Sequence, residues 1–169
     1  MIPFHSLFPQ LLEKETRIVT VLNNSVIPDD HYILTEFYCG DPNCDCRRVL
    51  LKVIAKANAQ QGELLTVSFG FDRDGELAGP YIDPLNPRCS YADAIFRIIA
   101  PMLETDSDYT DRLESHYRMV RDMVSNPTPR VRALLARCGP NVSAPGSSRP
   151  NRSTKRTPRK RKRAKKRRR

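Results

Sequence analysis

Three cysteines lie within eight residues of this 169-residue chain, in the stretch Cys39-Gly40-Asp41-Pro42-Asn43-Cys44-Asp45-Cys46. The glycine, aspartate, proline and asparagine between them favour a turn, which would bring the three thiols together. Thiolates are soft ligands, and tetrahedral zinc binds them at about 2.3 Å. Because the N-terminal residues lack the pattern of a secretory signal, a tight cluster favours a reduced metal site over a disulfide framework. The spacing predicts a zinc site on Cys39, Cys44 and Cys46.

A structural zinc site needs a fourth ligand, and the sequence offers several residues of the right type. Cys89 is the first choice, because it lies in the polar loop 84–90 that leads into a predicted helix. His31 and His116 are the next candidates. His116 adjoins the apolar stripe of a predicted helix, where a partly buried histidine needs no metal. Cys138 closes the last predicted helix and suits packing as well as ligation.

The residues around the cysteines resemble a motif of uncharacterised bacterial proteins, acidic-x-Tyr-Cys-x-Asp-Pro-x-Cys-Asp-Cys-Arg-Arg-Val. The matching segment is Glu36-Phe37-Tyr38-Cys39-Gly40-Asp41-Pro42-Asn43-Cys44-Asp45-Cys46-Arg47-Arg48-Val49. The segments Asp83-Pro84-Leu85-Asn86-Pro87 and His116-Tyr117 are similar to later parts of the same pattern, so the resemblance covers about residues 30–122. It implies a metal-binding module and names no reaction. The basic C-terminal residues lie outside it.

The elements that must position these residues follow from hydrophobic periodicity. The sequence predicts strands over 16–22, 31–38, 47–56 and 63–71. The short connection at 60–62 predicts that the last two of these strands are antiparallel neighbours. The predicted helices cover 6–15 (broken at Pro9), 90–100 (kinked or ended by Pro101), 107–124, and a short last helix that begins at Pro129, with Thr128 as its N-cap, and ends just before Gly139. Together they predict an α+β domain, a small antiparallel sheet with the zinc knuckle on one hairpin, covered by the helices that follow.

The charge of the chain is divided between two regions of opposite sign. Fourteen of the 29 basic residues lie from Arg149 onward, where there are no acidic residues. The remaining 15 face 19 acidic residues in 1–148, a net charge of −4 within a chain of +10. The composition predicts a domain over 1–139, a linker over 140–150, and a tail over 151–169. The tail has almost no apolar residues to bury, so we expect it to be disordered.

The end of the tail carries ten positive charges in eleven residues. Such a segment fits a polyanion, and nucleic acid is the densest one in a cell. Without an aromatic residue after Tyr117, the tail should sense phosphate charge and not base sequence. A localisation address, an acidic protein partner, or an anionic membrane surface are the alternatives, and the tail has no apolar anchor for a membrane. The nucleic-acid-binding candidates are Arg159, Lys160, Arg161, Lys162, Arg163, Lys165, Lys166, Arg167, Arg168 and Arg169.

No nucleotide-binding or hydrolase motif occurs, and three thiolates make zinc a poor Lewis acid. The sequence therefore favours a non-enzymatic zinc protein of the cytoplasm. It would associate with the nucleoid or RNA through the tail, and its acidic body would bind a protein partner or its own tail. The alternative is a zinc hydrolase or nuclease that the tail holds on nucleic acid. No catalytic residue is assigned, and the sequence does not distinguish DNA from RNA.

Overall fold

The structure is a computed structural model, and it describes residues 1–72, 74–75 and 78–138. In these residues an antiparallel sheet is followed by helices, as the sequence predicts. The strands are Ile2–Pro3 (β1), Arg17–Val21 (β2), Asp30–Tyr38 (β3), Arg48–Ala55 (β4), Leu65–Gly70 (β5) and Gly79–Ile82 (β6). The α-helices are Phe4–Leu7 (α1), Leu12–Glu15 (α2), Ala92–Thr105 (α3), Ser107–Ser125 (α4) and Pro129–Cys138 (α5).

Strand β3 is central to the sheet, whose order is β1-β3-β4-β5-β6, with β2 also paired to β3. All the pairings are antiparallel, and β1 and β2 lie along the same edge of β3. Ile2 pairs with Tyr38 at one end of β3, and Val21 pairs with Asp30 at the other. The two ends of β3 are therefore far apart, which matters for the candidate metal ligands.

One face of the sheet forms the core. Because side chains alternate across a strand, every second residue of β3 and β4 is buried, including Tyr32, Leu34, Tyr38, Val49 and Leu51. The helices cover this face with their apolar stripes. The buried stripe residues are Ile95, Ile99 and Leu103 in α3, and Tyr109, Leu113, Val120 and Val124 in α4.

The four predicted strands are confirmed, and so are the predicted helices of the C-terminal half, apart from one boundary. Thr128 caps α5, since its hydroxyl accepts the Val131 N–H at 3.3 Å. The interpretation that Pro101 ends its helix is wrong, because α3 continues through it to Thr105. Pro101 is exposed, so the carbonyl that its ring deprives of a partner faces water.

Two strands are absent from the sequence predictions. β1 has two residues and includes Pro3, and β6 includes the pair Gly79-Pro80. Proline and glycine are depleted in strands and are tolerated mainly at sheet edges. These two strands owe their conformation to pairing with β3 and β5, which local composition does not reveal.

The linker predicted over 140–150 and the tail predicted over 151–169 lie outside the described residues. Within the described part of the chain, no helix combines the length and the apolar character needed to cross a bilayer.

Candidate metal centre

The three cysteines occupy the connection between β3 and β4. Cys39 follows the last residue of β3, and Cys46 precedes the first residue of β4 by two positions. Because the two strands are antiparallel neighbours, the connection folds back on itself. The Sγ atoms of Cys39, Cys44 and Cys46 all lie within 4.8 Å of one another. The prediction that the turn brings the three thiols together is confirmed.

Local hydrogen bonds give the turn its shape. The Asp41 carboxylate accepts the Asn43 N–H at 2.9 Å, and the Asp41 carbonyl accepts the Cys44 N–H at 3.2 Å. These are the contacts that make aspartate a turn former. The Cys46 N–H then donates to the Cys44 sulfur at 3.4 Å. Sulfur that accepts a backbone hydrogen bond is stabilised as a thiolate, the form that binds metal.

Helix α4 supports the turn from outside. The Arg121 guanidinium donates to the carbonyls of Asp41 and Pro42 at 2.7 and 2.9 Å. Arg47, directly after the cluster, pairs with Glu114 of α4 at 3.0 Å. Tyr117 lies between Glu114 and Arg121 in the helix sequence, and the centroid of its ring is 5.6 Å from that of Phe71. The position of the cysteines is thus fixed by one face of α4 as well as by the two strands.

Gly40 is packed too closely for a side chain. An ideal Cβ at this position would lie 2.5 Å from the Ile2 Cδ1 atom, 2.9 Å from Ile2 Cγ1 and 3.2 Å from Leu135 Cδ2. Real Cβ atoms essentially never come within 3.0 Å of another heavy atom. The turn is therefore pressed against β1 and α5, the two ends of the described domain, and glycine is what permits that contact.

The cluster is electrostatically asymmetric. Hydrogen bonds from the Cys46 backbone and from the thiols of Cys46 and Cys39 lower the pKa of Cys44. Burial, together with the neighbouring sulfurs, raises the pKa of Cys46 to about 12. Ionised sulfurs at this spacing repel one another, so the three can be thiolates together only when a cation balances them.

The geometry fits a soft divalent ion. A tetrahedral site with metal–sulfur distances of about 2.3 Å has its sulfurs about 3.8 Å apart, and the three sulfurs, which all lie within 4.8 Å of one another, are close enough to share one ion. In the described ranges no histidine, carboxylate or further cysteine joins the three thiols as a ligand group. The described residues can therefore supply three ligands to one metal ion.

Cys89, the preferred fourth ligand, is not brought to the cluster. Its N–H donates to the Leu64 carbonyl at 2.7 Å, and its thiol is close enough to Tyr32 and Tyr91 to raise the pKa of both rings, an effect smaller than that of burial. Tyr32 is at the start of β3 and Cys39 follows its end. At the rise of a β-strand, the seven residue steps from Tyr32 to Cys39 span about 23 Å.

The other candidates are also placed elsewhere. His31 is at the start of β3, where its Nδ1 is 2.9 Å from the Thr20 hydroxyl. Cys138 is half-buried at the end of α5, one helical turn beyond the Leu135 that packs on Gly40. The predicted nucleic-acid-binding residues 159–169 lie outside the described part of the chain.

His116 is held between two carboxylates in the core. Its Nδ1 contacts Glu36 Oε2 at 2.7 Å, and its Nε2 contacts the Glu15 carboxylate. The Tyr38 hydroxyl donates to the same Glu36 carboxylate at 2.8 Å, and the Phe4 ring stacks on the imidazole at 3.9 Å. This network occupies His116 fully, as the sequence interpretation of a buried histidine allows.

The sequence analysis did not identify Glu36 as a core residue. The alternation of side chains along β3 nevertheless indicates that Glu36 is buried, because it has the same parity as the buried Tyr32, Leu34 and Tyr38. Burial lowers the pKa of His116, but hydrogen bonds and charge from Glu36 and Glu15 outweigh this effect and raise it. The imidazolium therefore connects α4 to β3 and α2 by two ion pairs.

Gly40→Ala tests the close packing of the turn. Because the added methyl group collides with buried Ile2, we expect a loss of about 1–3 kcal/mol in the free energy of unfolding. In an Ile2→Ala background the same change should cost clearly less, since the colliding atoms are gone. Urea unfolding of the four proteins of this cycle measures the coupling. Equal costs in the two backgrounds would show that Gly40 does not pack on Ile2.

The buried ion pairs predict a pH dependence of stability. Because the pKa of His116 is raised on folding, its stabilising contribution is fully present below the unfolded value of about 6.5 and is lost as the pH rises through the folded value. The stability difference between the native protein and His116→Gln should therefore be largest below about pH 6.5 and shrink as the pH rises above this value, as urea unfolding measures. Because both proteins contain the same cysteines, the effect of cysteine titration cancels in the difference between them. A difference that stays constant as the pH rises contradicts the charged state of His116.

The chain was compared with protein-family models, with curated proteins and with solved structures, and no match was found in any of the three.

Proposed function

We propose that this protein is a non-enzymatic zinc protein that associates with nucleic acid through its C-terminal basic residues. The observation that carries the metal part is the group of three thiols within 4.8 Å. The observation that carries the nucleic-acid part is the concentration of 14 basic residues, with no acidic ones, from Arg149 onward. The likeness of residues 36–49 to the bacterial cysteine motif also supports a metal-binding module.

The surroundings of the cluster support a structural role for the metal. Arg121 and Gly40 tie the turn to α4, β1 and α5, so an ion that fixes the turn also fixes how these elements meet. Binding energy at such a site becomes folding energy. Zinc is the metal proposed, because thiolate ligands in a site with no redox partner suit its chemistry.

A zinc hydrolase or nuclease is the second candidate, and one observation favours it. Catalytic zinc keeps a fourth position for water, and the described residues supply three ligands. Three thiolates, however, donate so much charge that the metal polarises water weakly. Zinc-edge X-ray absorption of the purified protein distinguishes the two, since a bound water adds an oxygen neighbour and a fourth cysteine adds sulfur.

The zinc proposal predicts about one tightly bound zinc ion per chain, lost in Cys44→Ser. If the site contributes about 3 kcal/mol, its loss should lower Tm by about 10 °C. Chelation of the native protein should have the same effect. Elemental analysis and thermal unfolding provide the measurements.

Cys89→Ser and Cys138→Ser are the matched controls, because each removes one thiol outside the cluster. Both should retain zinc. The opposite result would be native protein that carries no metal after mild purification and keeps the same Tm in the presence of a chelator. It would show that the cluster is only a set of packed thiols.

The tail proposal predicts a steep salt dependence. If about ten of the 14 cations contact phosphates, the slope of log affinity against log salt should be about −9 on duplex DNA and about −7 on single strands. Gln replacement of the ten basic residues in 159–169 should abolish most binding. A scrambled order of residues 151–169 should change little, because only charge density matters. Tight binding of one base sequence by the Gln variant would move recognition into the body.

A further inference from the structure

A cleft lies where the ends of β5 and β6 meet the junction of α3 and α4. Its volume is about 360 Å³, which is within the size range of ligand sites. We call it the acidic cleft and define it by Phe69, Phe71, Pro80, Glu104, Asp111 and Glu114. None of the three cysteines lines it, although Glu114 also pairs with Arg47 beside the cluster.

The floor of the acidic cleft is apolar and aromatic. Phe69 and Phe71 are half-buried and meet edge to face, with ring centroids 5.8 Å apart. Pro80 and Leu103 extend this surface. Aromatic faces bind the stems and charged groups of arginine and lysine by contact area and cation–π attraction.

The rim of the cleft is negative. Glu104 comes from the end of α3, and Asp111 and Glu114 come from the first half of α4. Glu114 is paired with Arg47 and Arg118. The exposed carboxylates of Glu104 and Asp111 therefore supply the negative charge that is available to a ligand. α3 ends at Thr105 beside the cleft, and a helix C-terminus favours cations. The opposite dipole of α4 is offset by its cap, since Asp106 accepts the Tyr109 N–H at 3.0 Å.

We propose that the acidic cleft binds the basic C-terminal segment of the same chain, from Arg149 onward, when nucleic acid is absent. The charges are complementary, because the segment has 14 cations and no anion while residues 1–148 have a net charge of −4. Covalent attachment gives the segment an effective concentration that no free basic peptide has. The occupant is therefore this chain's own tail.

The length of the chain permits this contact. Lys155 is 17 residues beyond Cys138, the last residue of α5, and 17 residues span about 56 Å at full extension. A domain of about 138 residues has a radius of gyration of about 14 Å and a diameter of about 40 Å. The path over the surface to the opposite face is about 60 Å, and Lys160, 22 residues beyond Cys138, can extend to about 73 Å. The lysines from 160 onward can therefore reach any face of the domain.

The consequence, which rests on the proposed function, is competition between the cleft and phosphates for the same cations. Nucleic acid has a much higher charge density, so it displaces the tail from the cleft. The apparent affinity of the protein for nucleic acid therefore falls as the fraction of molecules with a docked tail rises. A polyanion of low charge density would then fail to displace the tail, whereas nucleic acid would displace it and bind.

Zero-length carbodiimide cross-linking of the full-length protein without nucleic acid tests the contact directly. We expect amide bonds between the lysines of residues 155–166 and Glu104 or Asp111, found by peptide mass spectrometry in the monomer band. Glu104→Gln with Asp111→Asn should remove these links. Glu13→Gln with Asp122→Asn is the matched control, because it removes the same charges from exposed positions on α2 and the far half of α4, and it should retain them.

Nucleic-acid affinity gives the second measurement. The cleft variant should bind a duplex about three- to tenfold more tightly than the control variant at low salt, and the difference should vanish at high salt. Links that are spread evenly over the exposed carboxylates, or that occur only in dimers, would overturn the proposal. Because cross-linking uses no nucleic acid, its result is independent of the tail's proposed partner. If cross-links form in the cleft but the full chain binds no nucleic acid, the proposed function fails and the cleft contact stands.

Discussion

The electrostatic cost of ionising three crowded thiols is the constraint to which the rest of the domain is coupled. The backbone of the β3–β4 turn holds the sulfurs within 4.8 Å, and only a cation lets all three ionise. Two arginines also contribute positive charge near the turn, because Arg121 binds the turn carbonyls and Arg47 follows the last cysteine. The turn is also packed against Ile2 through Gly40. A bound metal would therefore act on the whole domain.

Helix α4 connects the cysteine turn to the other polar features of the domain. Within three helical turns it carries Asp111 and Glu114 at the acidic cleft, His116 in the core, and Arg121 at the turn. The two ion pairs of His116 fix the rotation of the helix, because the imidazole contacts Glu36 of β3 on one side and Glu15 of α2 on the other. Removing one partner of such a buried network would leave the other charges uncompensated. The cleft and the turn thus share one rigid support.

Sequence reasoning succeeds where local chemistry decides and fails where distant partners decide. The cysteine turn was predictable, because Asp41, Pro42 and Asn43 form it by local contacts. The strands β3, β4 and β5 were predictable from the periodicity of their apolar residues. β1 and β6 were not, since pairing imposes an extended form on proline and glycine. Cys89 was taken as a metal ligand because of the composition of its loop, whereas its contacts with Leu64 and Tyr32, which are distant in sequence, place it at the opposite end of β3.

The opposite charges of the two regions are more consistent with a regulated contact than with a permanent one. At physiological ionic strength the Debye length is about 8 Å, so the domain's net charge of −4 attracts the tail weakly from a distance. Only carboxylates in direct contact, on a floor that excludes water, hold a cation appreciably. In our proposal, such a contact would lower the affinity for sparse anions and would give way to the phosphate spacing of a duplex. The acidic cleft would then set a threshold of charge density that a partner of the tail must exceed.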